Sequence, residues 1–95
     1  MIAACTAASE GKLDQLKKIK ENTNVDLNDG DYDRRTPLHV SCGAGKFDVV
    51  RYLVEDSGVN LNPVDRWGAT PLNDCFGWPE LREYMLSRGA KLGKI

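Results

Sequence analysis

"TPLHVSCGAGKFDVVRYLV", residues 36–54, reads as two short helices joined by a tight turn. Thr36 carries the hydroxyl of a helix N-cap, able to accept from the first free backbone amides. Pro37 follows at the first helical position, where a missing N–H is harmless and the backbone angle is already helical. Gly45 closes the first helix, and the second carries Phe47, Val50, Leu53 and Val54 as one apolar stripe. The Gly-Lys pair at 45–46 also ends a phosphate-binding loop. Here, however, Val40 stands where that loop needs its first glycine, and Phe47 where it needs a magnesium-ligating hydroxyl. Gly45 therefore serves the turn, and Lys46 is a solvated residue beside it.

The stretch recurs on both sides. "DYDRRTPLHV" (31–40) aligns with "DRWGATPLND" (65–74) through Asp31/Asp65, Thr36/Thr70, Pro37/Pro71 and Leu38/Leu72, all 34 residues apart. At the same offset "EGKLDQLKKIK" (10–20) matches "AGKFDVVRYLV" (44–54), and "NVDLN" (24–28) matches "GVNLN" (58–62). Three stretches sharing one offset define an internal repeat, with units of about 1–30, 31–64 and 65–95 in one domain over 1–95. In the first unit the stripe is Leu13, Leu16 and Ile19, with Lys17, Lys18 and Lys20 on the solvated side. That copy starts within its first helix, with Ile2 at the position of the capping threonine. The third has four residues between Leu72 and Gly77, against six between Leu38 and Gly45. Its first helix is expected to be short, with Trp78 and Pro79 opening the next segment.

Composition excludes several function classes. A chain of 95 residues with a formal net charge of −1 has no long-range attraction for nucleic acid or anionic membrane. No apolar run nears the roughly 20 residues needed to cross a bilayer, and the N-terminus lacks a basic signal-peptide region. Cys5, Cys42 and Cys75 form no C-x-x-C pair, and His39 is the one histidine, so neither zinc nor a disulfide framework is expected. The acidic run "DLNDGDYD" fails as a calcium loop. With Gly30 as its sixth residue, Val25 and Leu27 fall at the first and third ligand positions and Thr36 at the twelfth. His39 has no second histidine and no matched nucleophile, and nothing sets two carboxylates across a pocket. No cofactor, no metal and no catalysis are expected.

The unit resembles the ankyrin repeat, on "TPLHVSCGAGKFDVVRYLV" and "DRWGATPL", and the resemblance extends over nearly the whole chain. It implies an all-α ankyrin-repeat solenoid of about two and a half to three helix-turn-helix units with β-hairpin-like loops. It further implies that His39 hydrogen-bonds near the threonine cap and ties neighbouring hairpins together, and that Asn73 at the equivalent place is also a hydrogen-bonding residue. Asp31 and Asp65 would order each hairpin, and Arg34 stands where the family usually has glycine, as Gly68 does. "DYDRRTPLHV", "VVRYLVEDSGVN" and "VDRWGATPL" also resemble the C-terminal ankyrin pair of animal-type glutaminases, with similar wording in plant potassium channels.

The function so implied is contact with a protein partner, or with a neighbouring domain of the same chain, through hairpin tips and first helices. Self-association is a further expectation; nucleic acid and membrane insertion are not. The candidate contact residues are Tyr32, Asp33 and Arg35 on one tip, and Arg66, Trp67 and Ala69 on the next. Ser9, Glu10, Gly43 and Ala44 lie at the helix ends. Tyr, Trp and Arg dominate interface energetics, so Trp67 is either the leading contact or packed against Tyr32 or Arg35. Trp78 is expected to cover the shortened third copy. The compartment implied is intracellular and cytoplasmic, or mitochondrial for a glutaminase-like chain.

Overall fold

In the computed structural model, which describes residues 2–94, three helix pairs stack side by side. The pairs are α1 (Ile2–Ser9) with α2 (Leu13–Asn22), α3 (Pro37–Ala44) with α4 (Phe47–Arg51), and α5 (Pro71–Asp74) with α6 (Pro79–Ser87). A π-helical turn, Tyr52–Asp56, extends α4, and a 3-10 turn, Cys75–Gly77, extends α5. Ile2 opens α1; its side chain lies outside what the structure describes. No strand occurs among the described residues, so the expected hairpins reduce to single closed turns.

Local chemistry sets each helix end. The Thr36 hydroxyl accepts from the His39 amide at 3.3 Å, and the His39 ring Nδ1 accepts from the Thr36 amide at 3.1 Å. This reciprocal box leaves neither amide orphaned. Gly45 then takes φ 70°, a conformation that favours glycine, and the Lys46 amide reaches back to the Ser41 carbonyl at 2.9 Å. Gly11 repeats the arrangement at φ 73°.

Length differences are absorbed at helix ends. Phe47 to Gly58 is eleven steps, Pro79 to Gly89 ten. The extra residue is taken up by the π turn, whose Ser57 amide donates to Tyr52 at 3.0 Å. The short third unit brings Trp78 over its neighbour. The indole lies against Gly45, leaving no room for a Cβ there, and its Nε1 donates to the Gly43 carbonyl at 3.2 Å. Trp78 thus covers the turn of the second unit.

The first helices form one layer, α3 between α1 and α5, and small residues set their spacing. Ala4, Ala8, Cys42 and Cys75 are buried beside Leu38 and Leu72. Behind them Leu16, Val50, Leu53, Leu81 and Met85 fill the space under the second helices. Val49, outside the expected stripe, is also buried, because α4 is covered from both neighbouring units; Phe47 and Val54 are half-buried. The neighbouring Cys75 thiol and burial raise the Cys42 pKa. Burial pushes the Cys5 thiol up to about 11. Cys5 and Cys42, protonated in this way, are poor nucleophiles, and all three cysteines are buried as small core residues.

One position in the first helices is hydrogen-bonded in every unit, and in the first two it joins a unit to the next. Cys5, His39 and Asn73 lie 34 residues apart at the same place in successive first helices. The Cys5 thiol donates to the Arg35 carbonyl at 3.4 Å, and His39 Nε2 donates to the Ala69 carbonyl at 2.8 Å. Asn73 Oδ1 accepts from the Gly93 amide at 2.8 Å. The role expected for His39 is the one observed, and Cys5 fills it in the first unit; Asn73 is hydrogen-bonded as expected, but to Gly93 of its own unit and as the acceptor. A second ladder runs behind. Asn28 Oδ1 accepts from the Asn60 amide, and Asn62 Oδ1 from the Lys91 amide, both at 2.7 Å.

These bonds fix His39 as the neutral Nε2–H tautomer. Protonation would set a new N–H against the Thr36 amide. Burial, the largest influence, lowers the His39 pKa below its ordinary 6.5. The folded state then binds fewer protons than the unfolded chain, so the neutral ring favours folding above that pH and the contribution is lost as pH falls. We expect the urea midpoint to decrease between about pH 7 and about pH 5, and His39→Asn to flatten that part of the curve. Denaturant titrations of both proteins across this range check it.

Candidate functional site

Two turns of matching geometry project from the stack. In the first, Asp31 Oδ1 accepts from the Asp33 amide at 2.9 Å and the Arg35 amide at 3.1 Å. The Asp31 amide donates to the Arg35 carbonyl at 3.0 Å, closing the loop. In the second, Asp65 Oδ1 accepts from Trp67 at 2.9 Å and Ala69 at 3.0 Å, and the Asp65 amide donates to Ala69 at 3.0 Å. Aspartate is suited to this place because its short carboxylate reaches backbone amides two and four residues ahead. Each turn ends in a left-handed residue, Gly68 at φ 86° and Arg34 at φ 61°.

The two tips are tied to each other. The Arg66 amide donates to the Asp33 carbonyl at 2.9 Å, and its guanidinium reaches Asp33 Oδ1 at 3.0 Å. Arg35 points inward instead. Its Nη1 meets the buried Asp65 at 2.9 Å and its Nη2 meets Asp74 at 2.7 Å. Burial alone would raise the Asp65 carboxyl; the Ala69 and Trp67 amides and the Arg35 guanidinium outweigh it and hold the pKa below the ordinary carboxylate range.

Among the expected contact residues, Asp33 and Arg66 are brought together, and Arg35 is engaged with Asp65 and Asp74 as part of the scaffold. Ala69 is buried. Tyr32 stands 91% exposed and Trp67 59% exposed. Trp67 packs on neither Tyr32 nor Arg35; its ring has the Arg66 guanidinium 5.5 Å from its centroid. At the helix ends, Ser9 Oγ donates to its own helix and Glu10 pairs with Lys12 at 3.2 Å, while Gly43 is exposed and Ala44 half-buried. Among the described residues no three His, Cys, Asp or Glu side chains converge as a metal site. No helix there is long and apolar enough to cross a membrane.

A family model for ankyrin repeats in three copies matches residues 1–94. The chain belongs to the ankyrin-repeat family. Among solved structures, this ankyrin stack is similar to a chain of the complex of Bd0816 predatory endopeptidase from Bdellovibrio bacteriovorus with immunity protein Bd3460. The TM-score is 0.86 at 28% identity, covering 94% of the ankyrin chain and 47% of that one. In sequence it is 49% identical over 37 residues to potassium channel SKOR of Arabidopsis thaliana. That match covers 39% of the ankyrin chain and 4% of the channel.

Two features were missed in the sequence. Asp74, as the second partner of Arg35, lies 39 residues away along the chain and no pattern links the two. Phe76, 90% exposed, could have been found by the 34-residue offset, because Ala8 and Cys42 precede it in register.

The two arginines of the first tip should respond oppositely to mutation. Arg34→Gly relieves a left-handed L-residue and should stabilise the ankyrin stack by about 0.5–1 kcal/mol. Arg35→Ala leaves Asp65 buried without its cation and should destabilise it by about 2–3 kcal/mol, the partial exposure of Arg35 placing this under a fully buried pair. Urea unfolding of the three proteins measures both.

Proposed function

We propose that this chain is a non-catalytic protein–protein interaction module whose contact surface is the pair of turn tips, with Tyr32 and Trp67 as its anchors. The carrying observation is the exposure of these two aromatics on a rigid base. Each sits on a turn organised by an aspartate, and the turns are cross-linked by Arg66 and Asp33. A large ring on a turn whose backbone is already fixed gives up only its own side-chain freedom on binding, so more of its buried area appears as affinity. The Arg66–Trp67 pairing adds a cation beside the ring at little further entropic cost. The solved complex of an endopeptidase with an immunity protein, which contains a chain of this shape, also supports a role in protein contact.

The same surface would work within one polypeptide. The 37-residue match to potassium channel SKOR, 49% identical, favours this second reading, in which the stack contacts another part of a longer chain. The surface and its anchors are the same in both cases; the origin of the partner differs.

The deciding experiment is affinity capture from matched lysate with wild type and with Tyr32→Ala/Trp67→Ala, followed by titration of the captured protein. Arg35 is left intact because its loss would disturb the scaffold. Loss of both anchors should weaken binding at least about tenfold, equivalent to about 1.4 kcal/mol, with the circular dichroism spectrum unchanged. Equal affinity of the two proteins would remove the tips as the contact surface.

A further inference from the structure

The repeat supplies each outer residue of the third unit with two internal controls. Ala8 and Cys42 are fully buried where the next first helix packs, while Phe76 in the same register is 90% exposed. Counting from the helix starts Leu13, Phe47 and Pro79, the sequence Leu16, Val50, Arg82 shows the same break: two buried aliphatics, then an exposed arginine. Gln15, Val49 and Leu81 run the other way, exposed in the first unit and buried in the later two. Position 82 therefore lies on the face turned away from the second unit, and Phe76 lies there with it. On α6 that face continues through Glu83 to Leu86, which is also exposed.

This face does not suit a fourth unit of the same kind. A phenyl ring replaces the alanine or cysteine that lets first helices approach. Arg82 would be buried without a partner, at a cost well above that of leaving it solvated. It is not a plain polar cap either, because it displays an aromatic ring. Phe76, Pro79, Arg82 and Glu83 line one depression of about 380 Å³. Among the described residues neither Arg82 nor Glu83 is engaged in an ion pair.

We propose that this outer face of the third unit is an isologous contact between two copies of the chain. Adjacent residues of opposite charge are self-complementary under a twofold axis, since Arg82 of each copy can face Glu83 of the other. The same operation lays Phe76 of each copy into the other's depression. The contact is closed, so growth stops at two. It lies on α6 and the turn before it, outside the anchors Tyr32 and Trp67.

Sedimentation equilibrium of the purified chain over a roughly hundred-fold concentration range tests the contact. The expected result is a monomer–dimer equilibrium. Phe76→Ser should abolish the dimer without moving the thermal midpoint, since the exposed ring contributes little to the fold. Arg82→Glu should weaken association at least about tenfold by setting like charges across the axis. The exchange Arg82→Glu/Glu83→Arg should restore it. A monomer throughout the range, growth beyond the dimer, a dimer indifferent to Phe76→Ser, or an exchange that fails to restore association would each overturn the proposal.

Discussion

The structure depends on one hydrogen bond made from inside the first helix of each of the first two units to the unit that follows. A repeat of this size cannot bury its apolar side alone, so stability comes from the interfaces between copies. Apolar packing pulls the units together but is not directional. The bond at residues 5 and 39 supplies register. At its two tip-joining steps it attaches the start of one helix to the carbonyl that also closes the next tip. In the second unit the imidazole does two things at once, taking the Thr36 amide on one nitrogen and giving the other to Ala69.

From that registration comes the separation of scaffold from surface. Arg35, Asp65 and Asp74 join three segments distant in sequence into one buried network. Arg66 and Asp33 bridge the tips above it. Their charges are paired with one another, which leaves Tyr32 and Trp67 as the aromatic side chains exposed on the tips. A binding surface of this kind is recognised by what its neighbours hold rigid. Variation in length is confined to helix ends away from the tips, in the π turn and the abbreviated α5, where it leaves the tips unaltered.

Much of this was legible because repetition turns one chain into its own alignment. Thr36-Pro37 and Thr70-Pro71 marked helix starts, Gly11 and Gly45 the turns, and Asp31 and Asp65 the loop carboxylates. Arg34 was recognisable as strained by comparison with Gly68. Arg35 was misleading, because its residue type suits an interface as well as a buried ion pair, and the choice depends on Asp74 across the fold. Trp67 was ambiguous for the same reason: whether a ring on a turn packs or projects depends on a neighbour's side-chain direction. Cys5 gave no hint of being a hydrogen-bond donor, since a cysteine in an alanine-rich helix looks like simple filling.

The rungs of the ladder are unequal in chemistry. His39 gives a full N–H to a carbonyl at 2.8 Å, whereas Cys5 offers a thiol at 3.4 Å, a weak donor at long reach. Local opening should therefore be graded along the molecule, with the first helix pair detaching while the second and third remain folded together. Both tips belong to those later units. Fraying at the N-terminal end would thus leave the recognition surface intact, and a chain with its first unit open would still present the same face.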